Sequence, residues 1–198
     1  MTDLITPILD AFKHAPPEAN ILGDLHPADI GQPWMNRNTY QFYWAIGRAF
    51  HPESYLEIGV RFGYSIQSIA MGSGQLKTVY GFDSEYDLAG SLDIARTRLR
   101  MMVDELSFTR ADTQALSAIH TAPVDMAHVD GMHTEQGVYH DCELAIHALK
   151  PGGILLIDDV GGDAGREVRS GALRFCEDRN LHPHYLHCFH GMYLVRKD

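Results

Sequence analysis

From residue 55 onward, short apolar segments alternate with longer amphipathic ones along the chain. This alternation is typical of a doubly wound α/β sheet, in which helices connect parallel strands. The apolar segments predict strands at 55–60, 78–83, 107–112, 125–130 and 153–159. The amphipathic segments predict helices at 63–72, 89–104, 113–120, 137–150 and 163–179. We therefore expect parallel strands with helices on both faces of the sheet.

The last two apolar segments, 182–189 and 191–197, follow each other with almost no linker. Parallel neighbours need a crossover of about a dozen residues or more, so these segments must pair as an antiparallel hairpin. The sequence thus predicts a Rossmann-like, doubly wound α/β sheet of seven strands, five of them parallel and two in a C-terminal antiparallel hairpin. A dehydrogenase sheet differs, because helical crossovers join its last strands.

Residues 1–50 do not follow this alternation. A segment rich in Pro, Gly and His at 15–35 precedes a predicted helix that begins at Asn36 or Asn38. The helix carries four aromatic side chains at helical spacing: Tyr40, Tyr43, Trp44 and Phe50. They form either a lid over a ligand or a face that packs on the sheet, and their periodic spacing favours packing. We expect residues 1–50 to be a helical extension on a domain spanning 51–198, with the preceding loop as the candidate lid.

The composition excludes several classes of protein. The chain has 198 residues, a net charge of −10 and no clustered basic face, which argues against a nucleic-acid partner. No apolar stretch approaches the length of a membrane span, and the N-terminus does not resemble a signal peptide. Three cysteines without C-x-x-C spacing, Cys142, Cys176 and Cys188, favour a reducing compartment. We expect a cytoplasmic globular protein, and a homodimer is compatible with the sequence.

The segment 55–65 combines an apolar strand, a turn with Gly59 and Gly63, and the beginning of a helix. Glycine lets a ligand lie against the backbone, and the N–H groups that open the helix can hold an anion. A dinucleotide fingerprint needs G-x-G-x-x-G, but here Glu57 takes the place of the first glycine. An acid at this position suits a ligand with a positive charge beside its carboxylate, such as S-adenosylmethionine (SAM). The alternative is an ordinary tight turn between strand and helix.

Every predicted parallel strand ends in a carboxylate: Glu57, Asp83, Asp112, Asp130 and the pair Asp158-Asp159. Ligands of open α/β sheets bind at these strand ends. Asp83 is positioned to accept hydrogen bonds from both hydroxyls of a ribose. Asp112 could accept one from the exocyclic amine of an adenine, or cap the following helix.

Three of these acids, Asp130, Asp158 and Asp159, are expected to converge at adjacent strand ends. Like charges brought together would raise the pKa of at least one carboxyl group, and a cation would remove the repulsion. All-oxygen ligands suit Mg²⁺ or Ca²⁺. Neighbouring strand residues point to opposite faces, so Asp158 and Asp159 can share an ion only if the strand turns there. The alternative is one functional carboxylate and one helix cap.

Among the 12 histidines, His133 is the candidate general base, because it follows Asp130 by three residues in a loop. His128 shares a strand face with Asp130 and is interpreted as a hydrogen-bonded core residue. Four more histidines belong to the predicted hairpin and are interpreted as surface residues, with adventitious metal binding open to them: His182, His184, His187 and His190.

Four stretches between about residue 50 and the C-terminus resemble the class I SAM-dependent methyltransferases: LEIGVRFGYS, VYGFD, RAD and AHVDGMHTEQGVYHDCELAIHALKPGGILLIDDV. The resemblance implies a seven-stranded sheet with a reversed last hairpin. It also implies a set of cofactor contacts. Glu57, Gly59, Gly63 and Ser65 would line the methionine end of SAM. Asp83 would bind the ribose, Asp112 and Thr113 would bind the adenine, and Asp130 would border the cofactor.

Within that family, the D-G-x-H turn at Asp130, the following Asp141 and the L-K-P-G-G…D-D pattern resemble the methyltransferase domain 24 group. The closing Asp-Asp is also similar to metal-assisted O-methyltransferases that act on catechols and on antibiotic sugars. In those enzymes the positions of Asp130, Asp158 and Asp159 bind Mg²⁺. The catechol enzymes carry Asn in place of Asp159, and the sugar enzymes have D-x-D-L-Y in place of D-G-M-H.

We therefore expect a methyltransferase that methylates a hydroxyl of a small molecule, such as a natural product, a sugar or a catechol-like compound. Asp130 and His133 would be its catalytic residues, and Mg²⁺ would assist. Two alternatives keep the cofactor: a metal-independent enzyme, and a catalytically silent binding protein on the same scaffold. A nicotinamide-dependent oxidoreductase is disfavoured by the glycine spacing and by the closing hairpin.

Overall fold

A computed structural model describes residues 3–19, 21, 37–86, 88–188 and 190–198. Most of the predicted lid loop at 15–35 lies outside these residues. Its described part contains a short 3₁₀ turn, Pro17–Ala19.

The helices and strands alternate from β1 onward, as the hydrophobic pattern predicts. The helices are α1 (Ile5–Lys13), α2 (Arg37–Phe50), α3 (Tyr64–Ser73), α4 (Ser91–Leu99), α5 (Glu135–Ala148) and α6 (Arg166–Asp178). The strands are β1 (Ser54–Ile58), β2 (Thr78–Asp83), β3 (Glu105–Arg110), β4 (Val124–Val129), β5 (Leu149–Ile157), β6 (His184–Leu186) and β7 (Met192–Arg196).

The strands form one seven-stranded sheet in the order β3-β2-β1-β4-β5-β7-β6. Strands β1 to β5 pair in parallel, whereas β7 runs antiparallel to both β5 and β6. The predicted fold class is thereby confirmed, including the C-terminal hairpin. The strand order reverses between β1 and β4, so the turns after these two strands are adjacent at the carboxyl edge of the sheet.

One predicted helix is wrong. The segment 113–120 contains only a 3₁₀ turn, Thr113–Ala115. Asp112 caps this turn by accepting a hydrogen bond from the Gln114 N–H at 3.0 Å. Leu116 already has an extended backbone, and its side chain packs against the core. The helical turn therefore ends at Ala115, and Leu116 and Ile119 pack against the core while partly buried.

Two other elements differ from their predicted bounds by four residues or more. Helix α4 ends at Leu99, well short of 104, because the chain turns there and the Met102 N–H bonds the Leu99 carbonyl at 2.8 Å. Strand β5 begins at Leu149, four residues early, because Leu149 pairs with Val124 before a register shift.

Helix α2 packs closely against α3. A Cβ atom on Gly47 would lie 2.3 Å from the Ile69 carbonyl oxygen, and one on Gly72 would lie 2.0 Å from the Trp44 carbonyl oxygen. Only glycine permits this approach of the two backbones. The four aromatic side chains named in the prediction pack into or against the apolar core, as their spacing predicts, and Phe42 of the same helix joins them.

Two apolar layers cover the sheet. Helices α1 to α4 contribute to one, and α5 and α6 contribute to the other. None of the helices in the described ranges combines the length and apolarity needed to cross a membrane.

Candidate active site

The turn after β1 lies directly against the end of β4. Gly59 has φ +90°, and a Cβ atom there would be 1.9 Å from the Asp130 carbonyl oxygen. Gly63 precedes α3 with φ +72°, and no described side chain caps that helix. The first N–H groups of α3 can therefore bind an anionic ligand such as a carboxylate.

Glu57 and His128 are paired across the sheet under this turn. They are register partners on β1 and β4, and both side chains are fully buried (0% exposed). The Nδ1 atom of His128 lies 2.7 Å from Oε1 of Glu57, which also accepts the Ser65 hydroxyl. His128 is thus the hydrogen-bonded core residue that its strand position predicts.

The second carboxylate oxygen of Glu57 has a different environment. Among the described residues, Oε2 is buried and has no hydrogen-bond partner. A buried acceptor without a partner is costly for the folded protein, and a ligand that donates to it removes that cost. An ammonium group is the donor best suited to an ionised carboxylate.

The protonation of the pair follows from its burial and charges. Burial opposes a charge on His128, but the hydrogen bond to Glu57 and the charges of Glu57, Asp130 and Asp158 outweigh it and raise the pKa of His128 to about 9. Burial also raises the pKa of Glu57. Both shifts keep a proton on the pair at neutral pH.

Tyr43 extends this buried network to the end of β5. Its hydroxyl donates a hydrogen bond to Oδ2 of Asp158 and lies 3.3 Å from Nε2 of His128. Sequence reasoning treated Tyr43 as a packing residue and missed its polar contacts. The available signal was its residue type, since a buried tyrosine usually hydrogen-bonds through its hydroxyl.

The predicted trio of Asp130, Asp158 and Asp159 is divided in the structure. Asp159 has φ +57°, so the strand does turn there, and its N–H bonds Oδ1 of Asp158 at 2.8 Å. Ligand atoms within 4.8 Å of one another form two groups in the described chain: His128, Asp130 and Asp158, and separately Asp130, His133 and Asp159. Asp130 belongs to both groups, whereas Asp158 and Asp159 belong to different ones.

We call Asp130, His133 and Asp159 the outer group, and His128, Asp130 and Asp158 the inner group. The outer group is rich in charge. The Nε2 atom of His133 lies 3.7 Å from Oδ1 of Asp130 and 3.4 Å from Oδ2 of Asp159. The carboxylate of Asp130 raises the pKa of His133 to about 9, and burial beside Asp130 and Asp158 raises the pKa of Asp159 to about 7. His133 therefore holds a proton at neutral pH. It can act as the predicted general base only after a ligand or cation offsets the neighbouring carboxylates.

His190 also lies at this edge. Its Nδ1 atom is 3.2 Å from Oδ1 of Asp159. The interpretation of His190 as one of four surface histidines is thus wrong for this residue, because the turn between β6 and β7 brings it beside the acidic cluster. Its separation from Asp159 in sequence gave no signal of this contact.

At the end of β2, Asp83 is held by backbone donors. Its two oxygens accept from the Arg61 N–H at 2.7 Å and from the Glu85 N–H at 2.6 Å. Each carboxylate oxygen can accept more than one hydrogen bond, so both remain able to accept from ligand hydroxyls. The carboxylate is therefore already oriented toward the crevice beside the glycine turn.

The residues after β3 are divided between the surface and the interior. Asp112 is exposed and caps the following turn, which is the alternative stated for it above. Thr113 is buried and donates to Oδ1 of Asp141 at 2.7 Å, while Oδ2 of Asp141 accepts from the Met132 N–H at 3.3 Å. Asp141 thus joins the loops after β3 and β4.

A family model described as a methyltransferase domain matches residues 56–160. No curated protein sequence gives a significant match.

Solved structures share the fold. The methyltransferase PaMTH1 of Podospora anserina, solved with S-adenosylhomocysteine (SAH) bound, has a TM-score of 0.67 at 15% identity. The match covers 100% of this chain and 89% of that one. An O-methyltransferase from Bacillus cereus in complex with SAH has a TM-score of 0.64 at 17% identity. The match covers 95% of this chain and 91% of that one. A third structure is the O-methyltransferase TomG from Streptomyces achromogenes, which is involved in tomaymycin synthesis and was solved in complex with SAM. It has a TM-score of 0.61 at 20% identity, and the match covers 95% of this chain and 89% of that one.

Proposed function

Because the chain belongs to the methyltransferase domain family whose model matches residues 56–160, we propose that it transfers a methyl group from SAM to a hydroxyl of a small molecule. The observation that carries this proposal is the unsatisfied Oε2 atom of buried Glu57, next to the uncapped beginning of α3. The hydrogen-bond acceptor Oε2 matches the ammonium group of a methionine moiety, and the anion site at the beginning of α3 matches its carboxylate. The SAH and SAM complexes of similar folds support it.

We assign the remaining cofactor contacts to neighbouring strand ends. Gly59 and Gly63 would let the methionine group lie against the backbone, and Ser65 would keep Glu57 oriented. Asp83 would accept both ribose hydroxyls. Asp112 and Thr113 would border the adenine, and Asp130 would face the reacting end.

The chemistry requires alignment of three atoms. SAM, when bound, supplies a methyl carbon on a positively charged sulfur. The acceptor oxygen forms the new bond to this carbon while the carbon–sulfur bond breaks and its electrons pass to sulfur. The protein's main task is to hold acceptor, carbon and sulfur in line in a site without water. The hydroxyl proton would pass to the pair formed by Asp130 and His133, once a bound ligand or cation has offset the carboxylates that keep His133 protonated.

We further propose that a divalent cation assists this step. Carboxylate oxygens are the hard ligands that Mg²⁺ takes, and Asp130 lies near both Asp158 and Asp159. Because Asp158 and Asp159 belong to different groups, one ion held by all three would require Asp158 to turn away from Tyr43. When bound, the cation would lower the pKa of the acceptor hydroxyl and orient it. Activity lost in excess chelator and restored by added metal would support this role. Full activity in chelator would instead assign the acids to substrate binding and proton transfer.

Charge and cysteine content bear on the acceptor and the compartment. The acceptor is a small molecule, because the net charge of −10 and the absence of a basic face disfavour a nucleic acid. We place the protein in the cytoplasm, since its three cysteines are free thiols. A homodimer is compatible with this function.

The test begins with the cofactor. Isothermal titration with SAH should show one site per chain, and SAH should raise the melting temperature because it binds only the native state. NADH is the matched control ligand and should do neither. The second stage incubates the protein with SAM and a panel of catechols, sugars and phenolic natural products, and detects methylated product by mass. No SAH binding would overturn the proposal, and binding without product across the panel would indicate a catalytically silent scaffold.

A further inference from the structure

We propose that this site binds a transition-metal ion through two imidazoles and two carboxylates, those of His133, His190, Asp130 and Asp159. The inference rests on the proposed function for the role of the cation. It replaces Mg²⁺ by a transition metal, and it replaces Asp158 in the ligand set by the two histidines. The four side chains come from the loop after β4, the end of β5 and the turn between β6 and β7.

The separations between these side chains suit donors that share one ion. They are 3.2 Å between His190 Nδ1 and Asp159, 3.4 Å between His133 Nε2 and Asp159, and 3.7 Å between His133 Nε2 and Asp130. Donors about 2.1 Å from one metal, in tetrahedral or octahedral geometry, lie about 3.0–3.4 Å apart. Ligand atoms of Asp130, His133 and Asp159 already lie within 4.8 Å of one another. His190 adjoins this group through Oδ1 of Asp159, whereas His133 faces Oδ2, so the imidazole of His190 must move toward Asp130 and His133 to complete the set.

Access distinguishes this group from the inner one. The side chains of Asp130, His133, Asp159 and His190 are 35%, 56%, 29% and 27% exposed. Asp158, in contrast, is buried, and its two oxygens already accept from Tyr43 and from the Asp159 N–H. An ion from solvent therefore reaches Asp130 and Asp159 without breaking the buried network, whereas ligation by Asp158 would compete with Tyr43.

The backbone holds the outer group together. Asp159 adopts φ +57°, a conformation that Asp tolerates, and its side chain lies with Asp130 and His133 and not with Asp158. The hairpin is attached to the same turn by two hydrogen bonds, from the Gly161 N–H to the His190 carbonyl at 2.6 Å and from the Val160 N–H to the Gly191 carbonyl at 3.1 Å. His190 is therefore a built part of this edge.

The ligand types decide the class of metal. Imidazole suits Fe²⁺, Zn²⁺ and the other later transition metals, Mn²⁺ accepts mixed nitrogen and carboxylate ligands, and Mg²⁺ takes oxygen ligands and retains several waters. Two nitrogen donors would therefore increase affinity for the transition metals and contribute little for Mg²⁺. The competing interpretation is a purely ionic cluster in which both imidazoles pair with the carboxylates and no metal binds.

The first test uses the wild-type protein alone, after chelator treatment and dialysis. Pulsed EPR of the Mn²⁺-loaded protein should show ¹⁴N coupling from imidazole. Binding of Mn²⁺ without ¹⁴N coupling, or no binding of Mn²⁺ or Co²⁺ by titration calorimetry, would overturn the inference. This readout needs no variant, cofactor or acceptor.

The second test uses His133→Asn and His190→Asn, with His182→Asn as the matched control on the same hairpin. Loss of an outer-shell partner alone typically costs about tenfold to a hundredfold in metal affinity, so each ligand variant should bind Co²⁺ at least about tenfold more weakly. Mg²⁺ affinity should change less than Co²⁺ affinity, and His182→Asn should match the wild type. Equal Co²⁺ affinity in all four proteins would overturn the inference.

SAH titration on the same samples separates this inference from the proposed function. SAH binding without nitrogen-coupled metal would retain the methyltransferase and remove the transition-metal site. Nitrogen-coupled metal without SAH binding would retain the metal site and overturn the proposed function.

Discussion

Glu57 and His128 face each other across β1 and β4, with Oε1 and Nδ1 2.7 Å apart and both side chains fully buried. This pair gives Glu57 two unlike oxygens. Oε1 accepts from His128 and Ser65, whereas Oε2 has no partner among the described residues. The histidine therefore orients the carboxylate so that one oxygen is left for a ligand.

Glu57→Gln should weaken SAH binding by about tenfold to a hundredfold, because hydrogen bonds to charged groups contribute about 1.5–3 kcal/mol. The amide oxygen can still accept from His128 and Ser65. Its NH₂ group then replaces Oε2 and opposes the ligand's ammonium group. Titration calorimetry measures the effect, and Glu53→Gln, an exposed ion-pair residue at the opposite edge, is the control. Unchanged SAH affinity in Glu57→Gln would contradict the assignment.

Two buried tyrosines offer a matched comparison. Tyr43→Phe removes the donor to Asp158 and should lower the free energy of unfolding by about 1–3 kcal/mol, because a buried carboxylate loses its partner. It should also lower kcat more than it changes SAH affinity, since Asp158 lies on the side of the acceptor.

Tyr55→Phe is the control. Tyr55 is fully buried, and its hydroxyl has no hydrogen-bond partner among the described residues. Its removal should leave stability unchanged or increase it slightly. Urea denaturation of both variants measures the difference. Equal destabilisation would mean that the hydroxyl of Tyr43 has no special role.

The fold was largely predictable from the sequence, because strand and helix periods differ and the carboxyl ends of parallel strands must meet at one edge. The same logic located Glu57, Asp83 and Asp130 at strand ends. It failed for the segment after Asp112, where a single 3₁₀ turn is followed by an extended backbone at Leu116, which packs against the core.

Contacts between distant segments were not predictable. Tyr43 and Asp158 are 115 residues apart, and His190 reaches Asp159 only because a hairpin turn packs on the end of β5. Periodicity shows on which face of an element a side chain lies, but it does not show which polar atom the side chain contacts. The division of Asp158 from Asp159 was likewise not predictable, because the chain turns at Asp159 and the two side chains still belong to different groups.

The contact between α2 and α3 should be sensitive to a single methyl group. Gly72→Ala would place a Cβ atom 2.0 Å from the Trp44 carbonyl oxygen, so the helices must separate. Such overpacking typically costs about 1–3 kcal/mol. Because α2 carries Tyr43, activity should fall as well. Thermal and urea denaturation measure the stability. Arg48→Ala, on the exposed face of α2, should change neither property.

The amino-terminal edge of the sheet provides a pH prediction that is independent of the active site. One oxygen of Asp125 accepts from Lys150 at 2.6 Å, and the other accepts from Ser54 and from the backbone. Burial raises the pKa of Asp125, but these hydrogen bonds outweigh it and the net pKa is lowered. A lowered carboxyl pKa contributes stability that is present above the unfolded pKa near 4 and is lost as the pH falls through the folded pKa.

Asp125→Asn should therefore destabilise the protein by about 1 kcal/mol at pH 7, discounted for partial exposure. The difference from the wild type should shrink at about pH 3, where the wild-type carboxyl group is itself becoming protonated. Urea denaturation at both pH values measures it. Asp93→Asn, an exposed residue paired with Arg96, is the control and should show almost no difference at either pH. A loss of equal size at both pH values would mean that Asp125 acts by packing and not by charge.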